Sequence, residues 1–223
     1  MKLVIFDCDG TLVDSQNMIA ASMELAFVEE GLAWPGRAAT LSIVGLSIPQ
    51  AMEVLAPDAS NEMRYRIGEG YKAAFHGLRQ DPSHHEPLFD GARAVVAELS
   101  GRDDILLGIA TGKSQRGVRA VLEREGWLTD FVTIQTADDA PSKPHPAMVH
   151  QAADEAGVAA RDAIVVGDTS YDMAMARAAG AGAVGVSWGY HEARALTQHG
   201  AHHVIDQFAQ LHRVLDGLWE QGW

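Results

Sequence analysis

Three acids crowd residues 4–15, VIFDCDGTLVDS: Asp7, Asp9 and Asp14. A carboxylate at the edge of a core is costly unless a cation or a donor replaces its water. An apolar run leading straight into acids therefore asks for a positive partner. In an extended chain residues two apart face the same way, so Asp7 and Asp9 can present two carboxylates to one spot. Gly10 relaxes the turn that follows and lets a ligand approach the main chain. A second acidic pair, Asp168 and Asp172, lies in GDTSYD. Four carboxylates on one rim would repel strongly without a hard cation, and Mg²⁺ takes oxygen ligands of this kind. Two positions between the acid pairs add the complement. Thr111 and Gly112 offer a hydroxyl and an amide to phosphate oxygens, and Lys143, braced by Pro141 and Pro144, offers a point charge. Acid pair, hydroxyl, lysine and acid pair, in that order, describe a metal-assisted phosphoryl-transfer site.

Positioning those groups requires strand ends. Short β-prone apolar runs at 3–6, 105–110, 131–135, 163–166 and 183–186 are expected to be buried strands. Helices fit between them: 115–125 with Ser114 as its cap and Gly126 as its stop, 147–156 after Pro144 and Pro146 and ending at Gly157, and 171–179 closed by Gly180. Such alternation predicts a parallel sheet covered on both faces, with ligands at the carboxyl ends of the strands. Residues 16–85 break the rhythm. They contain helical stretches at 18–30, 48–55 and 62–75, with breakers at Trp34-Pro35-Gly36, Gly45, Pro57 and Asp81-Pro82. The expected organisation is an α/β core from 1–15 and 86–223, with an all-helical unit, 16–85, inserted after the first strand.

The 223 residues are 47% apolar and 21% charged, an ordinary globular balance. A net charge of −13 argues against nucleic-acid or anionic-membrane partners, and an anionic substrate would need a local positive site. Cys8 is the only cysteine, so neither an intramolecular disulfide nor a thiolate zinc cage can form. Without an apolar leader or a run of 18 apolar residues, a soluble cytoplasmic protein is expected.

The chain resembles the haloacid dehalogenase superfamily. DCDGT (7–11) matches its D-x-D-G-T motif, Thr111 its second motif, Lys143 its third, and GDTSYD (167–172) its G-D-x₃-D fourth. The helical insert is similar to the type C1 cap, and VDS (13–15) and SWGYH (187–191) are similar to the phosphoglycolate phosphatase-like branch. Gly112 departs from that branch, which often has asparagine there. The resemblance implies a Rossmann-like core in which Asp7 is the nucleophile and forms an aspartyl-phosphate. Asp9 would protonate the leaving oxygen and then activate water. Mg²⁺ would sit on the Asp7 side chain, the Asp9 carbonyl, Asp168, and Asp172 directly or through water. Thr111, the Gly112 amide and Lys143 would hold the phosphoryl group, while the cap closes over it. The implied activity is Mg²⁺-dependent hydrolysis of a small-molecule phosphate monoester, 2-phosphoglycolate foremost, by a monomer or homodimer.

Several other readings are weaker. GAGAVG (180–185) matches a dinucleotide fingerprint but follows a helix and precedes a strand, the wrong order. An EF-hand starting at Asp7 would need glycine at Leu12, and a C-x₅-R phosphatase would need arginine at Asp14. Cys8 is expected to pack in the core. His84-His85-Glu86 and His202-His203 read as linker and surface, and Trp188, Tyr190 and His191 as a loop at the pocket mouth or a packing element. A phosphosugar mutase would share the motifs but would need a bisphosphate activator. A dehalogenase does not use an acid at the Asp9 position. A receiver domain combines Asp, Thr, Lys and Mg²⁺, but its acid pair lies on the first strand and its phosphoacceptor on a later one. Ser47, Arg64, Arg66, Tyr71 and Lys72 are the cap's candidate substrate contacts.

Overall fold

The computed structural model describes residues 1–81 and 84–223, so the expected breaker at Pro82 lies outside the described residues. Among the described residues six strands form one parallel sheet: β1 (Lys2–Phe6), β2 (Ile105–Thr111), β3 (Phe131–Thr136), β4 (Ala163–Gly167), β5 (Gly182–Val186) and β6 (His203–Ile205). Their order is β3-β2-β1-β4-β5-β6. The chain thus winds to one side of β1 and then to the other, which opens a crevice at the carboxyl ends of β1 and β4. The five apolar runs supply β1 to β5. The sixth strand was not expected, because three residues at a sheet edge carry no readable period. It also corrects the reading of His202-His203 as linker: His203 begins β6, and His202 Nδ1 accepts the Ala183 N–H at 2.9 Å.

Among the described residues four α-helices make up the insert after β1: α1 (Gln16–Glu29), α2 (Arg37–Ser42), α3 (Ile48–Leu55) and α4 (Asn61–Leu78). Six more follow: α5 (Ala92–Ser100), α6 (Gln115–Glu125), α7 (Ala147–Ala156), α8 (Ser170–Ala179), α9 (Ala193–Gln198) and α10 (Leu211–Gln221). Glycines in the left-handed conformation stop α6, α7 and α8 at Gly126, Gly157 and Gly180, where glycine avoids the Cβ clash of that conformation.

Alternation along β1 divides the core. Val4 and Phe6 pack with Val95, Leu122 and Leu215 on one side of the sheet. Leu3 and Ile5 pack with Met148, Val149 and Met173 on the other. The same period carries Cys8 into the first layer and turns Asp7 away from it. The insert has a core of its own around Met23, Phe27, Met52 and Ile67. Its two ends are tied together. The Asp14 N–H donates to Pro87 C=O at 2.8 Å, the Phe89 N–H to Leu12 C=O at 3.0 Å, and Val13 bridges Leu88. No helix among the described residues is long and apolar enough to cross a membrane.

Candidate active site

The residues following β1 and β4 face each other across the crevice. Asp7, Asp168 and Asp172 are all buried, each with an oxygen within 4.8 Å of the others. Gly10 makes the approach possible: its φ is +85°, and a side chain there would run into the Asp168 carboxylate. Asp168 Oδ1 accepts from the Thr11 hydroxyl at 3.0 Å, and its Oδ2 from the Tyr190 N–H at 2.8 Å. Asp172 is set by a capping box at the start of α8. Its Oδ2 accepts the Thr169 N–H at 3.0 Å and the Thr169 hydroxyl at 2.6 Å.

Lys143 reaches into this cluster with its side chain 0% exposed, 2.6 Å from Asp172 Oδ1 and 3.0 Å from Asp7 Oδ1. Asp7 Oδ1 also accepts the Cys8 N–H at 2.7 Å, whereas its Oδ2 is buried with no hydrogen-bond partner among the described residues. Burial pushes the Asp7 carboxyl up to about 6; Lys143 opposes the shift and Asp172 adds to it. Burial and then the charge of Asp7 hold Asp168 well above its usual range as well. Lys143 is raised, because Asp172 and Asp7 outweigh the burial that alone would lower it. An orphaned carboxylate oxygen and two acids whose charged forms burial penalises are what a cation would relieve. The all-oxygen donor set suits Mg²⁺.

Asp9 does not join the other three acids, contrary to the expectation of four converging carboxylates. Its Oδ1 accepts from Lys113 Nζ at 2.8 Å and from the Ser15 hydroxyl. Lys113 was not singled out in the sequence, although it directly follows Thr111-Gly112. Its side chain is 6% exposed and also pairs with Glu86 Oε1 at 2.8 Å. Glu86, expected at the surface, is 3% exposed and takes Arg79 on its other oxygen at 2.9 Å. Burial would raise the Glu86 carboxyl, but Lys113 and Arg79 outweigh it and bring it below its usual range. The chain Asp9–Lys113–Glu86–Arg79 alternates in sign, which is how the charges of Asp9, Lys113 and Glu86 coexist in a buried place, with the half-buried Arg79 closing the series.

A cavity of about 420 Å³ opens from this rim. Asp7, Asp9, Thr111 and Gly112 form its inner end, and the insert forms the opposite wall. Of the cap candidates, Ser47, Tyr71 and Lys72 line it. Arg64 instead caps the Ala56 and Pro57 carbonyls, and Arg66 pairs with Glu30 at 3.0 Å. Burial raises the half-buried Tyr71 phenol, and the negative charge of Asp9 adds to it. Three of the places where the insert is seated on the core lie along residues 42–47. The Ser47 N–H donates to Ser142 Oγ at 2.7 Å. Tyr171 Oη and His191 Nε2 both donate to Ser42 C=O, at 3.3 and 3.1 Å. At the third place Gly112 lies against the Gly45 and Leu46 carbonyls, where a Cβ would be 2.8 Å from both oxygens. His191 therefore joins core to insert. Trp188, by contrast, packs on Phe89 and Phe208 and donates its N–H to Thr11 C=O at 3.1 Å.

Acids at the switch point of a doubly wound sheet, beneath an inserted helical unit, define a capped Rossmann-like protein with a cation-hungry rim. The chain belongs to the haloacid dehalogenase-like hydrolase family, whose profile matches residues 4–186. It is 33% identical over 213 residues to a probable phosphatase, IndB, of Dickeya dadantii, covering 94% of this chain and 91% of that one. It is 32% identical over 216 residues to a phosphoglycolate phosphatase of Rhodospirillum rubrum, covering 94% and 89%. A solved hydrolase from Pseudomonas syringae superposes with a TM-score of 0.86 at 25% identity, over 98% of this chain and 99% of that one.

Proposed function

We propose that the protein is a soluble, cytoplasmic, Mg²⁺-dependent phosphatase that hydrolyses small-molecule phosphate monoesters through a phosphorylated Asp7. Residues 1–15 and 86–223 form its catalytic unit and 16–85 its cap. The observation that carries this reading is the fully buried Lys143 ammonium between Asp7 and Asp172, beside an Asp7 oxygen without a donor. The names of the relatives, a probable phosphatase and a phosphoglycolate phosphatase, support the reaction class.

In the first step an Asp7 oxygen bonds to phosphorus, the bond from phosphorus to the alcohol oxygen breaks, and Asp9 gives that oxygen its proton. In the second, water attacks phosphorus, passes a proton to Asp9 and releases the Asp7 carboxylate and inorganic phosphate. Lys113 and Ser15 both bind Asp9 at Oδ1, so they fix the side chain and leave Oδ2 to carry the proton. Lys143, the Thr111 hydroxyl and the Gly112 amide hold the phosphoryl oxygens, whose charge is the main thing to stabilise. Asp7, Asp168, Asp172 and the Asp9 carbonyl would hold Mg²⁺, which when bound supplies positive charge to the phosphoryl oxygens and offsets the acids' repulsion. The cap excludes water from the exchange. Turnover of p-nitrophenyl phosphate should vanish in excess chelator and return with Mg²⁺. Full activity in chelator would refute the metal assignment, and no turnover under any metal would refute the phosphatase.

A further inference from the structure

Resting on the phosphatase reading, we infer that the preferred substrate is a phosphate monoester of an alcohol with an apolar aliphatic or aromatic body, not of a short hydroxy acid such as glycolate. Beyond the reacting end, the apolar part of the cavity wall is built from Ile19 and Met23 of α1, Ile43 and Leu46 of the loop before α3, Ile48 of α3 and Phe75 of α4. A cavity of about 420 Å³ also falls within the roughly 300–1,000 Å³ of sites that enclose ligands larger than a two-carbon acid.

Three of the four Lys and Arg side chains along this wall are paired with acids. Lys113 faces both Asp9 and Glu86 at 2.8 Å, Arg79 faces Glu86 at 2.9 Å, and Lys72 faces Glu69 at 2.7 Å. Arg116 is exposed and lies against the His76 ring at 3.0 Å. In 2-phosphoglycolate the carboxylate sits one carbon from the ester oxygen, so it must lie near Asp9 and Lys113. There it would be a third carboxylate against one ammonium whose side chain is 6% exposed, and its lost hydration would go unreplaced. An alkyl or aryl body placed there instead removes apolar wall and apolar ligand from water together. That is worth about fourfold in affinity for each methylene fully buried.

The test is a series of Mg²⁺-supported kcat/KM values for primary phosphate esters: 2-phosphoglycolate, ethyl, butyl, hexyl and 2-phenylethyl phosphate, with p-nitrophenyl phosphate as a general reporter. From ethyl to hexyl, kcat/KM should rise at least tenfold, and 2-phenylethyl phosphate should exceed 2-phosphoglycolate by a similar factor. Phe75→Ala should cut the hexyl-to-ethyl ratio at least threefold. A flat alkyl series, or a preference for 2-phosphoglycolate, would overturn the substrate class while leaving the phosphatase intact. No turnover of any ester, the nitrophenyl reporter included, would overturn the phosphatase reading and this inference with it.

Discussion

Gly112→Ala isolates the seat of the cap from the chemistry beneath it. Gly112 is not in the left-handed region, so alanine brings no backbone strain, and the amide proposed to hold phosphate is retained. What changes is one methyl group. It would lie 2.8 Å from the carbonyl oxygens of Gly45 and Leu46, whereas ordinary contact begins at 3.4 Å, an overlap of 3.4 − 2.8 = 0.6 Å with each. Both opposing atoms are main chain, so no rotamer change relieves the overlap; the loop carrying Ser47 must lift. Over-packing of this kind costs about 1–3 kcal/mol. If opening the cap releases that strain, the closed fraction, and with it kcat/KM, should fall by about 5- to 150-fold. Two readouts separate this from general damage. The Ser47 amide, which donates to Ser142 Oγ, should lose protection from hydrogen exchange, while amides of β1 and β4 keep theirs. A variant with kcat/KM within twofold of the parent and a protected Ser47 amide would show that the close approach does not govern seating.

Three further outcomes are expected. Asp9→Asn should release about one nitrophenolate per enzyme from p-nitrophenyl phosphate in a burst and then stall with phosphate on Asp7, whereas Asp7→Asn shows no burst; parental turnover by Asp9→Asn would remove Asp9 from the acid/base role. Lys113→Met removes the only ammonium beside Asp9 among the described residues, leaves Glu86 with Arg79 alone, and should cost about 3–5 kcal/mol by denaturant unfolding. Adding Glu86→Gln should restore part of that stability but not kcat, and full recovery of kcat would show that Lys113 does not position Asp9. An acid raised above its ordinary 3.8, to about 6 for Asp7, destabilises the metal-free fold progressively as pH rises between those two values and by a constant amount above them, because the unfolded chain gives up the proton first. Mg²⁺ should therefore raise Tm more at pH 8 than at pH 5, where protons compete for the site; an equal shift at both would place the cation elsewhere.

Much of this site was legible because its residues are punctuated locally. Asp7 and Asp168 each follow an apolar run directly and precede a turn, so strand period and position together placed them on one rim. The partner of Asp9 was not legible in that way. Glu86 and Lys113 are 113 − 86 = 27 residues apart and meet only because the insert's return strap and the end of β2 converge. Nothing in HHE distinguishes a buried glutamate from a solvated one before the path of the chain is known. Adjacency to Thr111-Gly112 was the one available hint for Lys113. Helix α10 is different: Leu211, Leu215 and Leu218 recur at helical spacing and are all buried, so its signal was present and went unused.

The place of β1 in the sheet also sets a timetable for synthesis. β1 lies in the middle, yet Lys2 pairs with Ile105 and Leu3 with Ala163, so both neighbours arrive late. At roughly 5–20 residues per second, the 163 − 3 = 160 residues separating Leu3 from Ala163 take about 8–30 s to make. Contacts this distant carry a heavy loop-closure cost and fold slowly. The insert, by contrast, packs α1 against α4 within its own short span and can be complete before the sheet it will cover exists. Asp7 therefore has no rim around it until Lys143 and Asp168 have been made, and a chain halted anywhere short of β4 carries that carboxyl without the partners that surround it in the folded protein.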